Sequence, residues 1–492
     1  MKLQKLISDL ESFTISGKKD IEINGIASDS NNVKSGFAFI SIKGLKADGH
    51  NFINDAISRG AAALIVEKDV EVLEDITIIR VPDTKKILPV IADTFYNYPS
   101  NRMNIIGITG TNGKTTTTYF IDQILRKAGH KTGIIGTINY QIGDRIIPAV
   151  NTTPGPIQLR ALLNQMLEVN TEIAVMEVSS HAIAQRRIAG IEFDTCIFTN
   201  LTPEHLDYHE TLGKYQDTKL QLFEQMGKNS KKNTAKKAII NIDDPISRRF
   251  FDVCQVEIIS YGLNTNASVY ATGIRSTLNG SCFKLHVSPD KSIEVTINLA
   301  GKYNIYNALA ATSTALAFGL SLNEIKSGLE SLKSVPGRFE KITTDAGFCI
   351  IVDYAHTPDG MKQVLSTARD LTPNRIITVF GCGGDRDRLK RPQMGKISSE
   401  LSDYTIITSD NPRTEDPMKI IEEIIQGIKG TVRPDFEIIP DRKIAIKRAI
   451  ELAKENDMVM ILGKGHETYQ VLKDTVVPFD DRQVAQKYLL NS

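Results

Sequence analysis

Apolar residues in this chain follow two alternating rhythms: short β-branched runs, and longer stretches in which they return every three or four positions. The first suits a strand buried on both faces, the second a helix with one apolar side. Their alternation predicts parallel sheets covered by helices, an α/β fold. Ile105 to Thr109, Ile134 to Ile138, Ile173 to Val178, Cys196 to Thr199 and Ala238 to Ile242 are the expected strands of one unit. Ile350 to Asp353, Ile376 to Phe380, Thr405 to Thr408 and Met458 to Leu462 are those of another. Phe120, Ile121, Ile124, Leu125 and Ala128 give Thr115 to Ala128 one apolar face, and Gly129 ends that helix. An alanine-rich helical segment, Asn304 to Phe318, lies between the two units.

Turn-rich breaks divide the pattern. NYPSNR, Asn97 to Arg102, and SVPGRFE, Ser334 to Glu340, interrupt any regular element. At ~100–200 residues per domain, a chain of 492 residues accommodates about three. The expected domains are 1–99, a central nucleotide domain 100–335 and a carboxy-terminal α/β domain 336–492. KNSKKNTAKK, Lys228 to Lys237, reads as a solvated basic loop, because it has no aromatic residue on which a base could stack.

Charge and composition narrow the classes. A net charge of +1 provides no global field to gather nucleic acid or an anionic membrane, so neither is an expected partner. The five cysteines contain no CxxC pair, which argues against a zinc knuckle or disulfide framework and for a reducing compartment. MKLQKLISDLESF lacks the apolar core and cleavage site of a signal peptide, and no apolar run approaches the ~20 residues that span a bilayer. A cytoplasmic protein is expected.

GITGTNGKTTTT, Gly107 to Thr118, holds the first chemistry. Its glycines stand at 107, 110 and 113, and Ile108 occupies the place where an ordinary P-loop has its first glycine. The context is nevertheless strand, glycine turn, helix. Backbone N–H groups of Gly110, Thr111, Asn112 and Gly113 and the helix amino terminus concentrate positive potential for a polyphosphate. Lys114 then reaches the outer phosphates, and Thr115 or Thr116 a magnesium ion. MEVSSH and TNLTPEHLDYH follow the ends of two further strands, where polar side chains point into the ligand crevice of a parallel sheet. Glu177 and His205 are candidate cation ligands there. Lys219 alone reads as a surface lysine.

The motifs TGTNGKTTT, NTTP, EVSSH, TNLTPEHLDYH, YQDTKLQLF, GKYNIYN, GRFE, DYAHTPD, GCGGDRDRLKRP, DNPRTEDP and GKGHE together resemble, in order, those of the Mur ligases. That resemblance spans the chain and implies three domains, a central P-loop-type mononucleotide-binding parallel sheet and a carboxy-terminal Rossmann-like α/β domain. It implies ATP-dependent amide ligation with Mg2+: a substrate carboxylate takes the γ-phosphate, and an amine attacks the acyl phosphate. It accounts for the unusual glycine spacing too, since the family's loop reads TGTNGKT.

Carried onto this sequence, the resemblance makes Lys114, Lys219, Glu177 and His205 catalytic, with Thr115 and Glu177 on magnesium, His205 on a second ion, and Lys219 carbamylated so that it too can ligate metal. Asn304, Asn307 and Arg338 would line the nucleotide, with Asp353 and His356 approaching it as the domains close. For the last two, a strand-end turn capped by side-chain hydrogen bonds is the alternative. Ser28, Ser30, Leu45, Lys46 and Ala47 match uridine and diphosphate contacts, although Asn31 stands where the family usually has arginine. Asn151, Thr152, Thr153, Ser179, Gln185 and Arg187 match positions that grip the muramoyl peptide.

DNPR, Asp410 to Arg413, resembles the version that accepts meso-diaminopimelate. Arg413 suits the distal carboxylate, Asp410 or Glu467 the ammonium, and Asn411, Pro412, Arg386 and Gly463 complete the pocket. The implied reaction joins meso-diaminopimelate to UDP-MurNAc-L-Ala-D-Glu, and the family expectation is a monomer. A lysine-adding relative, or a nucleotide-responsive protein that does not ligate, are the alternatives.

Overall fold

The computed structural model describes residues 1–44, 47–72, 75–228, 230–342, 344, 346–372, 374–429 and 435–490. Two compact units emerge, one of residues 1–109, 130–196 and 221–237, the other of 110–129, 197–220 and 238–492.

In the first unit, a five-stranded sheet runs in the order Thr14–Ser16, Thr77–Arg80, Ala61–Val66, Phe37–Ile40, Gly25–Ala27. Its pairs are parallel except the first. Successive residues of one strand serve opposite faces: Ile65 joins Leu3, Leu6 and Ile91 on one side, while Leu64 and Val66 join Ile53 and Ala56 on the other. The same unit holds Asn104–Thr109 and Thr132–Ile135, each parallel to Ile173–Glu177.

The strand expected over Ile134 to Ile138 instead stops at Ile135. Gly136 lies so close to the Glu177 carboxylate that a Cβ there would meet Oε1 at 2.5 Å. The chain then turns and restarts as an antiparallel hairpin, Asn139–Ile142 with Arg145–Pro148.

Lys228 to Lys237 is also not a solvated basic loop throughout. The Lys232 and Lys236 side chains are buried, and both pair with Asp194. Lys232 Nζ additionally donates to the carbonyls of Met103 and Glu192. Two ammonium groups near one buried carboxylate are tolerated because these oxygens absorb the remaining donors. Local composition carries no trace of Asp194, which is distant in sequence.

In the second unit, helices Lys114–Lys127 and Lys302–Ala317 lie within one residue or two of their expected limits. An antiparallel meander, Val269–Thr277, Gly280–Ser288 and Lys291–Ile297, is also present. A six-stranded sheet runs Glu340–Ile342, Cys349–Asp353, Met458–Leu462, Ile376–Phe380, Tyr404–Ile407, Phe436–Ile438. Only its first strand is antiparallel.

Every residue of the three strands Cys349–Asp353, Met458–Leu462 and Ile376–Phe380 is buried. Ile351 and Met460 pack towards Met361, Leu365, Ile421 and Ile424, whereas Ile350 and Ile461 pack towards Ala445, Ile446 and Ala449. Helices cover both faces, which explains runs without a polar alternate. Because these strands are parallel, DYAHTPD, GCGGDRDR, DNPR and GKGHE all follow carboxyl ends on one edge of the sheet. No described helix is long and apolar enough to cross a membrane.

Candidate active site

The glycine loop is built by close approach. Gly110 has φ +150° and Gly113 φ +85°, and a side chain on either would collide, with Thr199 Oγ1 at the first and Asn307 Oδ1 at the second. Gly113 is therefore required both by its left-handed backbone and by the asparagine beside it. Thr111 N–H donates to the Asn200 carbonyl and Asn112 N–H to Asn200 Oδ1, each at 2.9 Å, which fixes the turn. Asn112 Nδ2 donates to Asp359 at 2.8 Å.

Lys114 and Lys219 meet on this loop. Lys114 Nζ donates to the carbonyls of Gly110 and Thr111 at 3.0 and 2.7 Å, and Lys219 Nζ donates to Gly110 O at 2.8 Å. Lys219 is wholly enclosed, not the surface lysine its sequence alone suggests. Burial, followed by the neighbouring Lys114 charge, pushes its amine well below the ordinary lysine range. Its Nζ also lies 4.6 Å from the Tyr215 ring centroid. Tyr215 reaches Thr111 Oγ1 at 3.2 Å and so ties this helix to the loop.

His205 sits at φ +57° and its ring lies 3.6 Å from Glu204 Oε1. His356 Nε2 approaches the same carboxylate oxygen at 3.7 Å. Burial would raise the Glu204 carboxyl, but His205, His356, Lys114 and Lys219 outweigh it and hold it lower. Burial lowers His205 despite Glu204, and pushes His356 down to about 4.

Arg338 donates to Thr115 Oγ1 at 3.1 Å and lies over the Tyr354 ring at 4.6 Å. Asn304 and Asn307 are buried and joined by an amide hydrogen bond of 3.2 Å, and Thr117 donates to Asn307. Thr116 is buried in the first helical turn.

Asp353 behaves as a turn cap. Its two oxygens accept from Phe339 N–H at 2.6 Å and Ala355 N–H at 2.7 Å. Burial raises this carboxyl, against the pull of Arg338.

In the first unit, Glu177 accepts from Thr137 N–H and from the Thr137 hydroxyl, both at 2.8 Å. Thr137 Oγ1 is 3.1 Å from Thr152 Oγ1, and Thr153 donates to the Glu177 carbonyl at 2.8 Å. Ser179 N–H donates to Thr153 Oγ1, Tyr140 donates to the Asn151 carbonyl, and Arg187 spans Thr153 O and Gln185 Oε1. One hydrogen-bonded cluster thus gathers Thr152, Thr153, Glu177, Ser179, Gln185 and Arg187, and Asn151, next to Thr152 in the chain, is held by Tyr140. Elsewhere in this unit, Ser28 is exposed and Ser30 buried, while the Ala47 carbonyl accepts from Gly44 N–H. The Arg59 guanidinium reaches Asn31 Oδ1 at 3.3 Å. Leu45 and Lys46 lie outside the described residues.

On the carboxyl edge of the six-stranded sheet, Arg413 has φ +54° and donates to the Gly384 carbonyl at 2.7 Å. Its backbone N–H donates to Val471 O at 3.1 Å, which anchors DNPR to the hairpin Tyr469–Leu472 with Thr475–Pro478. Arg386 is exposed as a whole, yet partial desolvation of its guanidinium, followed by repulsion from Arg413, lowers its proton affinity. Asp410 and Asn411 are buried, as is Pro412, and Gln470 donates to Asp410 O at 2.7 Å. Gly463, at φ +110°, approaches Asp410 so closely that a Cβ would lie 2.8 Å from Oδ2. Glu467 accepts from Asn411 Nδ2 at 2.9 Å and from Lys464 Nζ at 2.8 Å.

Several of these groups carry no individual signal in the sequence. Asn200, Glu204, Tyr215, Asp359 and Lys464 each lie within or beside a quoted motif, but each also has a partner remote along the chain. Among the described residues, no group of three or more His, Cys, Asp or Glu side chains is arranged for a metal ion.

Three family models match this chain: "Mur ligase family, catalytic domain" over 22–96, "Mur ligase middle domain" over 108–315 and "Mur ligase, glutamate ligase domain" over 337–465. The UDP-N-acetylmuramoyl-L-alanyl-D-glutamate--2,6-diaminopimelate ligase of Syntrophomonas wolfei is 46% identical over 489 residues, covering 99% of each chain. The ligase of the same name from Bacillus cereus is 43% identical, covering 99% of this chain and 98% of the other. A solved structure bearing that ligase name superposes with a TM-score of 0.68 at 31% identity, covering 100% of this chain and 99% of that one. The MurF ligase of Thermotoga maritima in complex with ADP shares the fold, with a TM-score of 0.65 at 18% identity and coverage of 95% and 96%.

Proposed function

Since the chain belongs to the Mur ligase family, we propose that it joins meso-2,6-diaminopimelate to UDP-MurNAc-L-Ala-D-Glu, converting ATP to ADP and phosphate. The full-length likeness to ligases of that name supports this reading. The observation that carries it within the structure is the meeting of Lys114 and Lys219 on Gly110.

A carboxylate is a poor acylating agent because oxide does not leave. One of its oxygens attacks the γ-phosphorus and ADP departs, giving an acyl phosphate. The neutral amine then attacks the acyl carbon, its nitrogen gives up one proton to solvent, and phosphate leaves with the former carboxylate oxygen. In the first step two anions meet, and preorganised cations reduce that cost. The glycine-loop N–H groups and Lys114 bind the phosphates in this scheme, and Arg338, anchored on Thr115, adds a further charge. Asn304 and Asn307 support the loop from behind, with Asp353 shaping the turn that presents His356.

Lys219 is proposed to be carbamylated: its neutral amine adds to carbon dioxide and releases a proton. The carbamate turns a buried base into a pair of oxygen donors of the hard kind that magnesium prefers. Thr115, His205 and carbamylated Lys219 would hold Mg2+, and Glu177, ordered by Thr137, is proposed as a metal-binding carboxylate. The ion would supply charge neutralisation at the phosphates.

Ser28, Ser30, Leu45, Lys46 and Ala47 are assigned to the UDP moiety, and the Asn151 to Arg187 cluster to the muramoyl peptide. Arg386, Asp410, Asn411, Pro412, Arg413, Gly463 and Glu467 form the proposed amino-acid pocket. A second carboxylate on the amino acid satisfies Arg413 bidentately, whereas lysine leaves that guanidinium without a counter-charge. Domains 1–99, 100–335 and 336–492 are proposed on the same footing, the three family matches falling inside them. A cytoplasmic monomer is proposed, because ATP and the UDP-linked peptide are supplied there.

With oxygen-18 in the glutamyl carboxylate, label should pass into the released phosphate, and release should require both the UDP-peptide and diaminopimelate. Phosphate without label, or release without an amino acid, overturns the scheme.

A further inference from the structure

Lys464 follows strand Met458–Leu462 and is wholly buried, an unusual place for an ammonium group. It is held there by its neighbours. Gly463 and Gly465 have φ of +110° and +51°, and a Cβ on Gly465 would lie 2.7 Å from that of Tyr354. The turn therefore has little freedom to release the lysine to solvent. Its Nζ donates to Glu467 Oε2 at 2.8 Å and to Asn411 Oδ1 at 3.2 Å, above the Tyr469 ring at 5.6 Å. Asn411 Nδ2 closes the triangle on the same Glu467 oxygen at 2.9 Å, and Asn411 Oδ1 also accepts from Val471 N–H. Both Asn411 and Glu467 belong to the proposed amino-acid pocket.

We propose that Lys464 is a positioning residue that cancels the charge of Glu467, leaving Asp410 as the pocket carboxylate that meets an ammonium. Arg386 and Arg413 then outnumber that carboxylate. This rests on the amino-acid pocket proposed above. An attacking amine must be neutral, so diaminopimelate enters with two carboxylates and one ammonium, a net charge of minus one. Lysine with a neutral attacking amine has no net charge. A pocket with an excess of positive charge favours the first, and Lys464 creates that excess by removing Glu467 from the balance.

The experiment compares kcat/KM for meso-diaminopimelate and L-lysine, with ATP and UDP-MurNAc-L-Ala-D-Glu saturating, in full-length wild type, Lys464→Met, Lys464→Arg and Lys464→Met/Glu467→Gln. The preference for diaminopimelate should fall at least about tenfold in Lys464→Met, mostly through its KM, and Lys464→Arg should restore most of it. A general structural lesion lowers turnover with both amino acids and leaves their ratio unchanged.

The double variant removes both charges together and should regain the preference. It also serves if Lys464→Met does not fold, since deleting a buried pair is tolerated better than deleting one member. An unchanged ratio in Lys464→Met, or a double variant without preference, overturns the proposal, the latter because Glu467 itself would then be the ammonium's partner. A wild type that prefers lysine instead overturns the assigned amino-acid substrate.

Discussion

Lys114 and Lys219 donate to one acceptor, the carbonyl oxygen of Gly110, at 3.0 and 2.8 Å. Two ammonium charges so close, with one side chain fully enclosed, cannot both be held cheaply. Burial first and the Lys114 charge second weaken the hold of Lys219 on its proton, pushing its amine well below the ordinary lysine range. A neutral amine is the form that reacts with carbon dioxide. Equilibration with carbon-13 bicarbonate should give a carbamate resonance that is missing from Lys219→Met, and that variant should lose about a hundredfold or more in kcat. Full activity in Lys219→Met would remove the residue from the chemistry.

Gly113 carries a second prediction. Its φ of +85° and the adjacent Asn307 Oδ1 leave no room for a methyl group. Asn307 is itself tied to Asn304 and Thr117, which limits its retreat. Gly113→Ala should weaken ADP binding by about tenfold or more while far-ultraviolet circular dichroism stays that of wild type, at a strain of ~1–3 kcal/mol. Calorimetric titration with ADP measures it.

Arg442 and Asp481 form an ion pair whose two side chains are completely buried, with contacts of 2.8 and 2.7 Å. Removing one partner strands a charge in the interior. Arg442→Met or Asp481→Asn should each destabilise the protein by about 3–5 kcal/mol, and Arg442→Met/Asp481→Leu by less than either. Urea denaturation followed by circular dichroism gives the comparison.

Glu415 predicts a pH dependence. Hydrogen bonds from Arg391 at 2.9 and 2.8 Å hold its carboxyl down at about 2. A carboxyl lower in the folded chain than in the unfolded one, ~4.3, contributes stability that is present above the unfolded value. That contribution disappears as pH falls through about 2. The stability difference between wild type and Glu415→Gln should therefore be constant near neutrality and shrink below about pH 4. A difference independent of pH would contradict the assignment.

Arg413→Ala should reduce the preference for diaminopimelate over lysine by about a hundredfold, since a desolvated guanidinium without its carboxylate costs several kcal/mol. Competition between the two amino acids, read by product mass, checks this.

The sequence determined the elements that depend on local pattern. Ile376–Phe380 and Met458–Leu462 fall where their β-branched runs place them, because burial on both faces leaves a continuous apolar signature. The glycine loop was legible for a similar reason: a turn that needs left-handed backbone writes glycine into the chain. Tertiary structure decided whatever depends on partners distant in sequence. Lys232 and Lys236 look like a solvated basic stretch until Asp194 meets them, and Lys219 looks like a surface residue until the fold closes around it. Charge state and burial are properties of neighbours in space, and no local run of residues specifies those.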